Sequence, residues 1–250
     1  MTRIASHRGG TLEFGDSTPQ GFRATARMAV EEVEFDVHPT SDGAIMVHHD
    51  ATLDRTTDRT GAIAALTEAE VRAATIDYGA GGHPLSLAEL VEIFRPSRVD
   101  LRCEIKPGED GLAYPDFVPR VIETIRVGGM LDRTTFSSFL LESLEALRAA
   151  TDRPVLWLVS PMLLRLLGIK AITELALSRR VPELGFHIDD SDAVLMQTVQ
   201  DKGLGFGCWA AHDAEQIGKA FDLGVKVFTT DRPTLAMAIR SARQSAGPAS

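Results

Sequence analysis

Two short segments of the chain carry acidic residues at alternate positions. Residues 33–37 read Val-Glu-Phe-Asp-Val, and residues 101–106 read Leu-Arg-Cys-Glu-Ile-Lys. Because successive side chains of a β-strand point to opposite faces, Glu34 and Asp36 share the face opposite three apolar residues. The same alternation separates Glu104 and its basic neighbours from the apolar residues of the second segment. If the apolar faces pack against helices, the two strands bring three carboxylates together.

Three converging carboxylates need compensating charge, because an unpaired buried carboxylate is costly. One solution is a bound divalent cation, magnesium or calcium and in some cases manganese, since these ions prefer carboxylate and water oxygens. The other solution is an interior ion-pair network with Arg8, Arg102 and Lys106. The alternation pattern alone leaves both solutions open.

Two histidines are placed where they could transfer protons beside these acids. His7 ends the first predicted strand next to Arg8, and His49 ends the predicted strand at 44–50 next to Asp50. A cation, basic side chains and two titratable imidazoles together meet the needs of phosphodiester cleavage. Those needs are charge neutralisation at the phosphoryl oxygens, a proton acceptor for the nucleophile and a proton donor for the leaving alkoxide.

The elements that must position these residues alternate between strand and helix along the chain. The segments predicted as the eight main strands are RIASHRG, VEFDVHP, VDLRCEIKP, TTFSSF, PVLWLVS, LGFHID, LGFGCWAA and VKVFTTD. Apolar residues at helical spacing predict helices from Ser17 onward and around 119–126, 140–148, 163–179, 193–202 and 214–223. Such alternation predicts a parallel sheet, and eight units without a dinucleotide-binding fingerprint predict a closed (β/α)8 TIM barrel.

The length of 250 residues fits one barrel domain, which we expect over residues 1–243, with a C-terminal tail at 244–250. One stretch departs from the regular alternation. Residues 39–84 follow the second strand and contain a Ser-Asp-Gly turn, the extra strand AIMVHHD and a Gly-rich run at 79–82. We interpret this stretch as a small insertion on the catalytic face, where the carboxyl ends of the barrel strands open.

Composition narrows the partners of the chain. Lys and Arg number 26 against 35 Asp and Glu, and the net charge of -9 excludes a broad basic surface for nucleic acid. The two cysteines are far apart and are expected to be free buried thiols. Charged residues and Pro161 interrupt the most apolar stretch, 155–177, which argues against stable membrane insertion. The N-terminus lacks the apolar run of a signal peptide, so we expect a cytoplasmic protein of open oligomeric state.

The order and spacing of these residues resemble the glycerophosphodiester phosphodiesterase family over nearly the whole chain. The motifs that carry the resemblance are His-Arg-Gly at 7–9, Glu-x-Asp at 34–36, His-Asp at 49–50 and Glu-x-Lys at 104–106. Later agreements are Ser-Ser-Phe at 137–139, Trp209 and Thr-Asp-Arg-Pro at 230–233. The resemblance implies a TIM barrel, one divalent metal ion, and hydrolysis of small glycerophosphodiesters to glycerol 3-phosphate and an alcohol.

The resemblance also implies a role for each matching residue. The implied roles are general acid and base for His7 and His49, metal ligation for Glu34, Asp36 and Glu104, phosphate binding for Arg8 and Lys106, and an aromatic wall for glycerol at Trp209. Trp209 has a second interpretation, as a large aromatic residue packed in the barrel core.

The chain departs from the family pattern at two loops. Where the family usually has Pro-Glu-Asn-Thr, residues 15–18 read Gly-Asp-Ser-Thr, so the place of the family's Glu passes to Asp16 or is absent. His212 stands where an Asn commonly follows the Trp strand. His38 and His48 match no motif position, and we assign both to structure. These departures bear on substrate preference more than on the class of reaction.

Two other functions remain open at this point. Residues 161–168 follow a barrel strand and could place Met162, Leu163 and Leu164 at the mouth as an acyl-binding lip, for a lysophospholipase D-like activity on larger lipid diesters. The same leucines also fit the buried stripe of the following helix. The remaining alternative is a non-catalytic phosphate-ester-binding barrel, against which the presence of every motif residue argues.

Overall fold

The computed structural model describes residues 1–77, 79 and 81–245 of the chain. The strands are β1 Arg3–His7, β2 Glu32–Pro39, β3 Ile45–Val47, β4 Asp100–Ile105, β5 Thr134–Ser138, β6 Val155–Val159, β7 Glu183–His187, β8 Gly205–Trp209 and β9 Val227–Thr230. All except β3 pair in parallel, and they close into a barrel because β1 pairs with both β9 and β2. The predicted (β/α)8 barrel is confirmed, with β3 as one extra strand antiparallel to β2.

Helices surround the barrel and connect its strands. They are α1 Thr11–Phe14, α2 Pro19–Thr25, α3 Glu68–Arg72, α4 Leu87–Phe94, α5 Phe117–Val127, α6 Leu141–Ala150, α7 Pro161–Ser178, α8 Ala193–Gln200, α9 Ala214–Leu223 and α10 Pro233–Ser245. Several begin at caps that the sequence offers. Thr18 accepts the backbone N–H of Gly21 ahead of α2, and Ser86 forms a capping box with Glu89 ahead of α4.

The hydrophobic core lies between the barrel strands and the helices. On β2, Val33, Phe35 and Val37 are fully buried in this layer, together with Phe22 of α2 and Phe94 of α4. Burial of the apolar face leaves the alternate residues of each strand to line the barrel interior. The strand alternation therefore decides which polar side chains reach the site.

The barrel interior holds a separate set of ion pairs below the motif acids. Arg102 Nε donates to Glu32 at 2.6 Å, and Arg3 Nε lies 3.2 Å from the same carboxylate. Lys226 pairs with Glu183 on the other side of the floor. The predicted ion-pair alternative is therefore wrong for Arg102, because its partner is Glu32, two residues before the first motif acid.

Residues 39–84 form a small layer beside β2. β3 pairs with β2 so that His38 lies opposite Met46, and α3 starts at a capping box between Thr67 and Glu70. The layer has its own apolar cluster, made of Met46, Leu53, Ile63, Val71 and Ala74. Ala80 of the Gly-rich run lies outside the described residues. The turn that follows β3 carries His49 to the catalytic face.

Two helices, α7 and α10, depart from the regular pattern or from the expected boundaries. α7 has a break at Gly168, whose φ of 71° and ψ of 159° are not helical. α10 ends at Ser245, and residues 246–250 of the expected tail lie outside the described residues. In the part of the chain that is described, every helix is too short or too polar to cross a bilayer. Cys103 and Cys208 are free and buried, as predicted.

Candidate active site

The three motif acids converge at the catalytic face of the barrel. Glu34 and Asp36 lie on β2, and Glu104 lies on β4 directly opposite Asp36 in the strand register. All three are at least 95% buried, and one carboxylate oxygen from each lies within 4.8 Å of the others. The buried oxygens Glu34 Oε2, Asp36 Oδ2 and Glu104 Oε1 each face a nitrogen of His7, Arg8 or Lys106, at 3.7, 3.2 and 3.0 Å respectively. Three converging carboxylates also offer the all-oxygen donor set that a hard cation prefers, and they would be its ligands.

Two basic side chains approach this carboxylate cluster. Arg8 Nε lies 3.2 Å from Asp36, and Lys106 Nζ lies 3.0 Å from Glu104 and 3.5 Å from Asp36. Three carboxylates against two cations leave one negative charge uncompensated. Burial and the neighbouring acids Asp36 and Glu104 raise the pKa of Glu34 well above its usual value. For Asp36, burial is outweighed by Lys106 and Arg8, so its pKa is lowered.

His7 ends β1 between two carboxylates. Its Nδ1 donates to Asp231 Oδ1 at 2.5 Å, and its Nε2 lies 3.7 Å from Glu34 Oε2. Asp231 follows β9, which pairs with β1, so the barrel itself sets this contact. Although burial opposes ionisation of Asp231, its hydrogen bond from His7 lowers the pKa of the carboxyl.

His49 is held differently, by the turn after β3. Its Nε2 accepts a hydrogen bond from Lys106 Nζ at 3.3 Å, since an ammonium group only donates. The proton of the neutral ring is then on Nδ1, which donates to Asp50 Oδ1 at 2.5 Å. Arg55 Nε binds the other oxygen of Asp50 at 2.5 Å. Burial acts against ionisation of Asp50, but the bonds from Arg55 and His49 lower its pKa to about 2.

Asp16, which the sequence offers only as a substitute for the family's Glu, is the carboxylate that links these two parts. Asp16 Oδ2 accepts from Arg8 Nη1 at 3.1 Å and from Arg55 Nη2 at 3.0 Å, and Asp16 is 3% exposed. Charges therefore alternate from Asp36 through Arg8, Asp16 and Arg55 to Asp50. The Arg of the Leu-Asp-Arg-Thr-Thr sequence after the His-Asp motif was the available signal, but its partner lies 39 residues away.

The altered loop at 15–18 is also anchored through Glu13, which lies in α1 just before it. Glu13 accepts hydrogen bonds from the backbone N–H of Thr234 at 3.1 Å and of Leu235 at 3.3 Å. These donors belong to the first turn of α10, where a carboxylate compensates free backbone N–H groups. The loop from Glu13 to Thr18 thus joins the start of α10 to the Arg8 network.

A cavity of about 240 Å³ opens beside the carboxylate cluster. At about 30 Å³ for each water it has room for roughly eight waters. One side is charged, and the other is walled by Phe139, Leu156, Leu158, Trp209 and Val227. Trp209 packs edge-to-face with Phe139 at 5.6 Å and with His187 at 4.6 Å between ring centroids. Trp209 is therefore both packed and exposed to the cavity, so its two interpretations are compatible.

The structure brings the predicted site residues to this one place. Those that line the cavity are His7, Arg8, Glu34, His49, Glu104, Lys106 and Trp209, while Asp36 lies behind them in the carboxylate cluster. The proposed lip is absent from the lining among the described residues. Leu163 and Leu164 pack half-buried against the core, and Met162 is 64% exposed.

His7, His212 and Asp231 form a second group with metal-binding side chains. A ring nitrogen of each histidine already takes part in a hydrogen bond with Asp231. His7 Nδ1 donates to Asp231, and His212 Nδ1 accepts the backbone N–H of Asp231 at 3.0 Å. Hydrogen bonds therefore account for the position of this group, whereas the three carboxylates offer an all-oxygen donor set for a cation.

Known proteins share this architecture. A model of the glycerophosphoryl diester phosphodiesterase family matches residues 7–235. A crystal structure of a candidate glycerophosphoryl diester phosphodiesterase from Agrobacterium tumefaciens is 63% identical, with a TM-score of 0.97 over 98% of this chain and 99% of that one. An Oleispira antarctica phosphodiesterase, solved with the product sn-glycerol-3-phosphate, is 21% identical with a TM-score of 0.79 over 96% and 97%.

Curated proteins match this chain over a shorter stretch of sequence than the solved structures do. The glycerophosphodiester phosphodiesterase of Caldanaerobacter subterraneus is 30% identical over 143 residues, which are 55% of this chain and 58% of that protein. The match therefore spans little more than half the length of this relative. The match of the family model runs from His7, the first motif residue, to the second residue after the Thr-Asp-Arg-Pro motif. The chain belongs to the glycerophosphoryl diester phosphodiesterase family.

Proposed function

We propose that the protein hydrolyses glycerophosphodiesters to glycerol 3-phosphate and an alcohol. The observation that carries the proposal is the cluster of three buried, converging carboxylates, flanked by two histidines that each donate to another carboxylate. Membership of the family supports this class of reaction. The Oleispira antarctica enzyme with bound sn-glycerol-3-phosphate supports the product.

Glu34, Asp36 and Glu104 would hold one divalent metal ion. Their all-oxygen donor set favours magnesium or calcium, with manganese as a third choice. When bound, such an ion neutralises charge on the phosphoryl oxygens and lowers the pKa of a ligated water. Arg8 and Lys106 lie within 3.5 Å of these acids, so their cationic groups are placed to hold the phosphate beside the ion.

The two histidines divide the proton transfers. His49 Nε2 accepts from Lys106 and faces the cavity, so it is placed to accept a proton from water or a substrate hydroxyl. His7 has a carboxylate oxygen near each ring nitrogen, so it is placed to hold two protons and to give one to the departing alkoxide. Asp50 and Asp231 keep the two rings oriented.

The cavity supports a compact substrate. Its apolar wall, which includes Phe139 and Trp209, offers a surface for the carbon atoms of glycerol. α7 contributes nothing to its lining among the described residues. We therefore expect short glycerophosphodiesters to be better substrates than lysophospholipids.

The test is release of glycerol 3-phosphate by protein that has been stripped with chelator and resupplied with single divalent ions. Substrates would include glycerophosphocholine, glycerophosphoethanolamine and lysophosphatidylcholine. We expect no release without metal, release with magnesium, calcium or manganese, and a preference for the two short diesters. If no substrate released glycerol 3-phosphate with any of the ions, the proposal would be contradicted.

A matched pair of variants assigns the metal site. Glu104→Gln removes a charge from the carboxylate cluster and should raise the metal concentration needed for half-maximal activity at least about 10-fold. Glu92→Gln makes the same change on the exposed face of α4, where the side chain is 57% exposed. Equal metal dependence in both variants would remove Glu104 from the site.

A further inference from the structure

His38 is buried on β2, two residues beyond Asp36, with both ring nitrogens engaged. It is 1% exposed. Its Nε2 lies 3.1 Å from the backbone oxygen of His49, and its Nδ1 lies 3.0 Å from the hydroxyl of Tyr114. Because a carbonyl oxygen only accepts, the proton is on Nε2, and Nδ1 accepts from the Tyr114 hydroxyl.

The backbone around His49 has a second buried imidazole. His48 is 3% exposed, and its Nε2 donates to the backbone oxygen of Thr52 at 3.1 Å, which closes the turn at 48–52. The backbone N–H of His48 donates to the backbone oxygen of Asp36 at 3.1 Å. The turn is therefore hydrogen-bonded to β2 before His49, and it is closed by the bond to Thr52 after His49.

The bond from His38 acts on the backbone that carries His49. The turn itself is not a strand or a helix, so its position depends on such side-chain bonds. The ring of His49 must meet Asp50 at 2.5 Å and Lys106 at 3.3 Å at once. In catalysis, displacement of a reacting group by about 1 Å can cost about 100-fold in rate.

We propose that His38 is a positioning residue for His49, which it holds through the Nε2–H bond to the His49 carbonyl while the Tyr114 hydroxyl keeps the His38 ring in the required tautomer. This role rests on the proposed function, in which His49 transfers a proton. Tyr114 belongs to the loop after β4 and stacks edge-to-face on His38 at 5.8 Å. The loops after β3 and β4 are thereby joined through one buried ring.

Two amide substitutions separate positioning from packing. His38→Gln places an amide N–H near the position of Nε2 and can keep the bond to His49. His38→Asn places an oxygen near the position of Nδ1, which keeps the Tyr114 bond but does not reach His49. We expect kcat to fall about 10- to 100-fold in the Asn variant with KM within about twofold, and to stay within about threefold of the wild type in the Gln variant.

A second readout does not depend on turnover. Nitrogen chemical shifts of ¹⁵N-labelled histidines report the tautomer of each ring. We expect His49 to keep its proton on Nδ1 in the wild type and in His38→Gln, and to give mixed or broadened signals in His38→Asn. If the wild type hydrolyses nothing, the proposed function fails, but the spectra still test the role of His38.

The stability of both variants completes the test. Thermal unfolding shows whether each is folded at the assay temperature, and Tyr114→Phe provides a third variant that leaves His38 in place. We expect Tyr114→Phe to lower kcat less than His38→Asn does. Equal kcat in the two amide variants, or unchanged His49 signals in His38→Asn, would overturn the proposal.

Discussion

His7 and His49 are oriented by carboxylates that differ in their own support. Asp231 follows a barrel strand and also contacts His212, whereas Asp50 lies in a turn and is bound by Arg55. The barrel therefore fixes the imidazole of His7 directly, whereas the position of His49 depends on a series of side-chain hydrogen bonds. Substitutions remote from the chemistry should affect His49 more readily than His7.

Removal of either imidazole should nearly abolish turnover. A positioned acid or base contributes about 10²- to 10⁴-fold, so His7→Ala and His49→Ala should each lower kcat by that amount while leaving the protein folded. Release of glycerol 3-phosphate measures the effect, and circular dichroism checks the fold. His83→Ala, at a histidine outside the cavity lining, should keep wild-type turnover. Normal rates in both site variants would refute the assignment.

The buried neutral state of His38 should also appear in the stability of the protein. Burial lowers its pKa from 6.5 to about 4, so between these values the unfolded chain binds a proton that the folded protein does not. The free energy of unfolding should then fall as the pH drops through this window, by on the order of 3 kcal/mol from this residue. Urea unfolding at about pH 7.5 and about pH 4.5 measures it.

His38→Gln is the control for this pH effect. It removes the titrating ring but leaves His48, whose pKa is also lowered by burial. The variant should lose less stability than the wild type over the same pH interval. An identical loss in both proteins would show that His38 does not titrate as described.

At the scale of single residues, sequence reasoning succeeded where a pattern was local. Alternation along β2 and β4 placed Glu34, Asp36 and Glu104 on the inner face, and the structure confirms that placement. Asp16 could not be found in this way, because its partners Arg8 and Arg55 come from separate loops that meet only in the folded barrel. Asp16, the residue offered for the place of the family's Glu, is bound by these two arginines.

At the scale of elements, α7 departs from its prediction. A single helix was expected over 163–179, but Gly168 breaks α7 with φ 71° and ψ 159°, a conformation that is nearly restricted to glycine. Nothing lies within 4 Å of a Cβ added there, so the restriction comes from the backbone alone. Helical periodicity reports which residues are apolar and carries no signal for such a break.

Gly168→Ala should destabilise the protein by about 1 to 3 kcal/mol, because alanine disfavours that backbone conformation. Gly218→Ala is the matched control within the regular helix α9, where an added Cβ meets only the end of the Arg243 side chain at 3.4 Å. Replacement there should leave stability unchanged or raise it by up to about 1 kcal/mol. Urea unfolding of both variants tests these opposite signs, and equal effects would contradict the backbone argument.

At the scale of the whole molecule, a metal ion held by the carboxylate cluster, as proposed, would couple metal binding to folding. An ion that binds only the folded protein stabilises it by about 2.7 kcal/mol at 100 times its Kd. For a chain of 250 residues this corresponds to a rise in Tm of roughly 5 to 10 °C. Thermal scans with chelator and with each divalent ion measure the rise, which should be smaller in Glu104→Gln. A Tm that no ion changes would argue against the site.

The same scans bear on domain organisation. We infer that residues 1–243 fold as one domain, since the barrel closes only when β1 meets β9 near the other end of the chain. Strand alternation and eight repeated units were enough to predict that closure. The insertion was predicted only as a departure from the pattern, because its apolar cluster is assembled from residues between 46 and 74 without a regular period.

The separate apolar cluster of the insertion has a consequence for how activity is lost. His49 is carried by a layer whose own core is five residues, while the other motif residues sit on the barrel. Local opening of that layer would withdraw one proton-transfer group and leave the barrel intact. Mild denaturant or limited proteolysis would then abolish the proposed activity before the barrel unfolds. Resistance to inactivation would therefore depend on the stability of the insertion, and resistance to global unfolding on the stability of the barrel.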